Sequence, residues 1–166
     1  GFKPNDNTYI RCRGFVKMRI STKGRYGLRA MLDLAYHSKD GYVPLKAIAK
    51  RQQVSEKYLE QLFSTLKKSG LVISSMGFQG GYMLSRSSME ITVGDVLLAL
   101  EGDLSIIDEM QVDTGEMRIG NLTDEYLHNQ LWKKINEEIY NLLINTTLQD
   151  LLDKYAAKVS ENKDKK

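Results

Sequence analysis

Between Ser55 and Leu84 the apolar pattern changes period once, at Gly70, and that change limits the fold more than any other feature of the chain. Before it, Leu59, Leu62, Phe63 and Leu66 recur at the spacing of a helix with one buried face. Ser55 suits the N-cap, Glu56 the positive first turn, Lys67 and Lys68 the last turn, and Gly70 the stop. After it, Leu71-Val72-Ile73 and Tyr82-Met83-Leu84 read as short strands around the glycine-rich turn Met76-Gly77-Phe78-Gln79-Gly80-Gly81. A helix that runs straight into a small hairpin is the layout of a helix-turn-helix followed by a wing.

The preceding segments complete that motif. A first helix starts at Ser21 or Thr22 and carries Leu28, Met31, Leu32 and Ala35 on one face, until the turn at Asp40-Gly41. A short second helix opens with Pro44 as its first residue, buries Leu45, Ile48 and Ala49, and leads into a tight turn over Gln52–Val54. Downstream, Thr92 caps a helix with Val93, Val96, Leu97 and Leu100 in line, ended by Gly102. Residues 103–120 lack a pattern and read as a loop. A long helix is expected from about Asp124 to Ile144, and Thr147 caps a last helix through Leu148, Leu151, Leu152 and Tyr155. The expected architecture is mostly α with a small β-hairpin: a winged helix-turn-helix over 18–90, helices for dimerisation and regulation over 91–160, and a polar, frayed tail over 161–166. Residues 1–17 read as an extension outside the fold, without the apolar core and cleavage site of a secretory signal.

Charge divides the chain at the same place. Residues 1–90 hold 16 Lys/Arg against 6 Asp/Glu, and residues 91–166 hold 8 against 15. The winged half is therefore strongly basic beside an acidic half, which points to a polyanion as partner of the first half only. The side chains expected opposite the apolar stripe of the third helix are Lys57, Glu60, Gln61 and Ser64, with Lys67 at its end. Gln61 can pair with adenine at two points and Glu60 can accept from the cytosine amino group, while Lys57, Ser64 and Lys67 can reach phosphates or bases. Double-stranded DNA is the partner this chemistry suits.

Other chemistries are excluded or unsupported. One cysteine, Cys12, and two distant histidines, His37 and His128, cannot make a Cys/His zinc site. No nucleophile sits beside a base, and no Gly-Lys-Ser/Thr follows the wing glycines, so neither a hydrolytic site nor a phosphate loop is present and no enzyme is expected. No apolar run reaches membrane length, and a cytoplasmic protein is expected.

Several short motifs in order carry a resemblance. They are Met18-Arg19-Ile20-Ser21-Thr22-Lys23-Gly24-Arg25-Tyr26, Tyr58-Leu59-Glu60-Gln61-Leu62, Gly70-Leu71-Val72, Gly80-Gly81-Tyr82, Ile91-Thr92-Val93-Gly94-Asp95-Val96 and Thr146-Thr147-Leu148. The chain resembles the Rrf2 family of bacterial winged-helix transcription regulators over residues 18 to about 152. The resemblance implies a homodimeric regulator, commonly a repressor, on a palindromic operator. It places Tyr58, Glu60 and Gln61 near bases, with Ser55 and Lys57 on the same face, and Lys23 and Arg25 near the DNA backbone. It pairs the long helix with its mate, through Leu127, Leu131, Ile135, Ile139 and Leu142.

Two departures stand out. The iron-sulfur, IscR-like members carry three cysteines in the loop that here spans 103–120 and holds none, so a cluster held that way is excluded and no cofactor is expected. Glu101-Gly102-Asp103-Leu104-Ser105 leans toward the cluster-free, CymR-like branch, in which a partner enzyme of cysteine synthesis modulates DNA binding. Wings of the family, whose tip here includes Gly80, place an arginine before the first wing glycine for the minor groove; this chain has Met76. That exchange and the acidic second half keep a second reading open, a protein-interaction module that has lost specific DNA binding. Salt dependence of binding to duplex DNA separates the two.

Overall fold

The computed structural model describes residues 20–104 and 119–165. The expected extension over 1–17, Met18, Arg19 and most of the expected loop (105–118) lie outside the described residues. Two compact units are present: residues 20–104 with 138–165 form one, and residues 119–137 belong to the other.

In the larger unit, α1 (Thr22–His37) starts at Ser21 and is followed by a short 3-10 turn, Ser38–Asp40. Next come α2 (Leu45–Gln52), α3 (Glu56–Lys68), strands β1 (Val72–Ser75) and β2 (Gly81–Leu84), and α4 (Val93–Glu101). The fold class is as expected, mostly helical with one antiparallel hairpin. Pro44 is the N-cap of α2 rather than its first helical residue, because its ψ of 136° is extended.

α1 lies against α4, α2, α3 and α7 (Leu148–Asp164). Their shared core includes Met31, Leu34, Ile48, Leu59, Leu62, Phe63, Leu66, Val96 and Leu148, all fully buried or nearly so. Phe63 meets the ring of Tyr82 edge-on at 4.8 Å, which joins α3 to the hairpin. A full Phe burial of this kind contributes about 1.5–3 kcal/mol. Gly24 and Gly27 set how closely α1 approaches α4: a Cβ at Gly24 would meet Glu101 Oε1, and one at Gly27 would meet the side chain of Leu100.

The hairpin pairs Val72 with Leu84, Ile73 with Met83, Ser74 with Tyr82 and Ser75 with Gly81. It is anchored a second time where Val43 bridges Tyr82, with N–H···O bonds of 2.8 and 2.9 Å in the two directions. Gly81 permits that approach: its φ is +152°, and a Cβ there would strike the carbonyl of Val43.

Two capping boxes, Thr92 with Asp95 and Thr147 with Asp150, start α4 and α7. Backbone and side-chain bonds from Thr147 hold the Asp150 carboxyl below its ordinary range. α7 continues to Asp164, past the point where a frayed tail is expected, since Lys, Glu and Asn after Ser160 include no Gly or Pro to stop it.

The expected long helix also begins earlier. α5 (Ile119–Leu127), a π-helical turn (His128–Trp132) and α6 (Lys133–Asn145) follow one another without a break. The helix is therefore already present at Ile119, ahead of Asp124, and the π turn interrupts the regular spacing on which the Leu127–Leu142 stripe rests.

Candidate nucleic-acid interface

The local chemistry of α3 separates its two faces. Ser55 Oγ accepts from the Tyr58 N–H at 3.1 Å, which fixes the first turn. Leu59, Leu62, Phe63 and Leu66 turn into the core, leaving Lys57, Glu60, Gln61, Ser64, Lys67 and Lys68 exposed. The structure thus brings the expected α3 residues onto one open surface. Tyr58 differs from them, being half-buried against Tyr26 of α1, with ring centroids 6.0 Å apart and planes at 88°.

A polar chain ties α1 to the end of α2, just before the turn that leads into α3. Asp33 is 6% exposed, and its carboxylate takes Arg51 Nε at 3.0 Å and Nη2 at 2.6 Å. The Gln52 amide donates to the same carboxylate at 2.8 Å. Arg29 donates to the Gln52 carbonyl at 2.8 Å and lies 4.9 Å from the centre of the Tyr26 ring. Hydrogen bonding to Asp33 raises the Arg51 pKa, so the cation persists at any ordinary pH. His37 Nδ1 lies 2.9 Å from the Asp33 carbonyl oxygen at the end of α1, a local helix-end contact. The residue after this clamp, Gln53, is left-handed (φ 56°) and turns the chain toward α3.

The N-terminus of α1 is held by a residue from α4. Glu101 Oε1 accepts from the Ser21 N–H at 3.0 Å, the Ser21 hydroxyl at 2.6 Å and the Gly24 N–H at 3.1 Å. A carboxylate is well matched to the positive end of a helix. Lys23 and Arg25 are exposed on this anchored first turn.

The hairpin is tied to α3 as well as to the core. Lys67 Nζ donates to Ser74 Oγ at 2.6 Å. At the tip, the Gly80 N–H donates to the Gly77 carbonyl at 3.0 Å, and a Cβ at Gly80 would collide with the Ser75 carbonyl. Met76, 96% exposed, and Phe78, fully exposed, stand outside that turn.

Of the residues expected at a dimer contact, Leu131 and Leu142 are exposed and Leu127, Ile135 and Ile139 are half-buried. None of α6 is fully buried.

Sequence reasoning did not find the Asp33–Arg51–Gln52 clamp, the Glu101 anchor or the Lys67–Ser74 bond. A signal existed for the first: Asp33 interrupts the apolar run Ala30-Met31-Leu32-Asp33-Leu34-Ala35, where a lone carboxylate needs a partner. A signal existed at the wing as well: Phe78 is a large apolar residue between turn glycines, a place that exposes it.

Comparison with known proteins gives a consistent result. Residues 20–154 match the Rrf2 family, described as iron-dependent transcriptional regulators. The HTH-type transcriptional regulator IscR of Serratia proteamaculans is 43% identical over 136 residues, covering 82% of this chain and 80% of its own. The solved structure of CymR, the global cysteine regulator of B. subtilis, superposes with a TM-score of 0.69 at 39% identity, covering 81% of this chain and 96% of that one. IscR of T. potens superposes with a TM-score of 0.63 at 39% identity, covering 82% and 88%.

An iron-sulfur cluster does not fit the donors present. Such clusters are held by several thiolates, and the chain has Cys12 alone. Among the described residues no three His, Cys, Asp or Glu side chains gather as metal ligands. No helix among them is long and apolar enough to cross a membrane.

Proposed function

The chain belongs to the Rrf2 family and is a DNA-binding transcriptional regulator, not an enzyme, and from that premise we propose that it acts as a cluster-free homodimeric repressor on a palindromic operator. The observation that carries this reading is the α3 surface. Five hydrogen-bonding side chains (Lys57, Glu60, Gln61, Ser64 and Lys67) face outward from a helix whose other face is locked in the core.

In this reading α3 enters the major groove, as the second helix of a helix-turn-helix does. Gln61 and Glu60 read base edges, and Lys57, Ser64 and Lys67 contact phosphate or base. Ser55 and Tyr58 place the N-terminus of α3 against the duplex, and Lys23 and Arg25 add backbone contacts. The Asp33–Arg51–Gln52 clamp holds α2 and the turn, so that α3 is presented at one angle. Residues 18–90 form the reading head, and residues 91–160 pair the subunits and receive the regulatory signal.

The absence of thiolates beyond Cys12 supports the cluster-free, CymR-like mode of control. The signal then comes from a small ligand or a partner protein, such as an enzyme of cysteine synthesis, acting on the acidic half.

In vitro selection of duplexes by the purified protein tests the reading. A palindrome with half-sites about one helical turn apart is expected, bound by a dimer, with no visible absorption band and no stoichiometric iron. Enrichment of no sequence over random DNA would refute it.

A further inference from the structure

The hairpin tip carries the inference. From Leu71 to Leu84 the chain contains no charged residue, inside a half of the protein that is otherwise strongly basic. Met76 and Phe78 project from the tip, 96% and fully exposed, and none of the described residues covers them. Ile73, paired with Met83 in the hairpin, is also exposed, so apolar surface runs along β1 as well as at its end.

Resting on the reading of the chain as a DNA-binding regulator, we propose that Phe78 and Met76 form an apolar wedge that enters the DNA minor groove and opens a base step there. Reach supports it. β1 is four residues long, about 13 Å at ~3.3 Å per residue, and the major groove is ~12 Å wide. A hairpin that leaves the C-terminal end of a helix lying in that groove crosses one phosphate ridge and sets its tip at the neighbouring minor groove. The Lys67–Ser74 bond and the Val43–Tyr82 bridge keep it at that distance. Chemistry supports it too. Phe and Met are among the side chains that proteins insert between base steps from the minor groove, kinking the duplex by roughly 20–90°. A tip without Asp or Glu meets no repulsion from the phosphates on either side. A tip without Lys or Arg releases no counterions, so its contribution is apolar and independent of salt.

The wedge also assigns a specificity. Pyrimidine–purine steps such as TA and CA unstack most easily. The protein therefore favours such a step where the tip meets the flank of each half-site, through the ease of unstacking there and not through any base-edge contact of Phe78 or Met76.

The test uses the full chain and the palindromic duplex enriched by wild-type selection, end-labelled with a dye pair that reports bending. Wild type is expected to bend it. Phe78→Ala is expected to bind at least about fivefold more weakly, the lower end for loss of one base–aromatic contact, with a smaller bend and an unchanged salt slope. Phe78→Leu retains most of the bend. Replacing the flanking TA step with an A-tract weakens wild type and leaves Phe78→Ala nearly unaffected. Specific binding by wild type that Phe78→Ala and Met76→Ala share in affinity and bend would overturn the wedge alone; the tip would then be free for a protein partner. A changed salt slope in Phe78→Ala would also overturn it. Absence of sequence-specific binding by wild type would instead overturn the regulator reading on which the wedge rests.

Discussion

Lys67 Nζ donates to Ser74 Oγ across 2.6 Å, so the last turn of α3 and the first strand of the hairpin share a hydrogen bond. An ammonium has three donors, which leaves Lys67 able to meet a phosphate while it braces the wing. Lys67→Ala removes the charge and the brace; Ser74→Ala removes the brace alone. Lys67→Ala is expected to weaken binding to every duplex and to reduce the salt slope by about one per half-site, while Ser74→Ala leaves the slope unchanged. Anisotropy titrations over a salt series measure both. A loss in Lys67→Ala confined to one sequence would mean that Lys67 reads a base.

Gln61 is exposed midway along α3, where a long amide can reach a base edge. Gln61→Ala is expected to weaken specific binding by about 1–3 kcal/mol per half-site and to relax preference at one base pair. Its affinity for random duplex should stay at the wild-type value. Selection repeated with the variant reads out the relaxed position; an unaltered preference would turn α3 the other way round in the groove.

The clamp behind α3 predicts a stability effect. Arg51→Ala leaves the buried Asp33 carboxylate with Gln52 and His37 as its remaining side-chain neighbours. Arg51 is itself about one-third exposed, so solvent screening moderates the loss. A destabilisation of about 1–3 kcal/mol is expected from urea unfolding at unchanged m-value. Because Asp33 sets the end of α2, specific affinity should fall further than random-duplex affinity. Stability within a few tenths of a kcal/mol of wild type would show that water replaces Arg51 without cost.

Leu142 is 65% exposed on α6 with Tyr140 exposed nearby, and in the other unit Leu122, Tyr126, Leu131 and Trp132 are exposed. Exposed apolar area costs about 25 cal/mol per Å² when it stays in water, and a symmetric dimer is the usual remedy. Wild type is expected to scatter light as a dimer at micromolar concentration. Leu142→Glu is expected to be a monomer with an unaltered helical spectrum, since it removes little from its own subunit. A wild-type monomer, or a Leu142→Glu dimer, would move the interface elsewhere.

The helices that follow Ser55, Thr92 and Thr147 were legible because each has a local cause. Ser55, Thr92 and Thr147 each cap the helix that follows, and the apolar stripe of α3 matches its buried face residue for residue. The tertiary polar contacts were not legible. Asp33 and Arg51 are eighteen residues apart, and Ser21 and Glu101 are eighty apart; no local rule pairs such positions before the fold brings them together. The start of α5 was missed for another reason. Gly120 falls within the segment expected as a loop, yet Ile119 and Gly120 are already helical. Glycine costs a helix only about 1 kcal/mol, which neighbouring residues can outweigh.

Met76 gives the last prediction. An arginine in a narrow minor groove gains from the strong negative potential there and from displaced counterions. A methionine gains neither. Met76 is almost fully exposed at the tip, so Met76→Arg removes no contact within the subunit and should leave folding unaltered. If the tip faces the groove, the variant binds more tightly and its salt dependence steepens by roughly one counterion per wing. The gain should be larger on A/T-rich flanks, where the groove is narrower, than on G/C-rich ones. Titrations of both proteins on the two kinds of duplex at several salt concentrations decide it. Equal affinities and equal slopes would place residue 76 away from the groove. Phe78, two residues along the same turn, would then have to reach the base step alone or not at all, and the Phe78→Ala bend measurement separates those two outcomes.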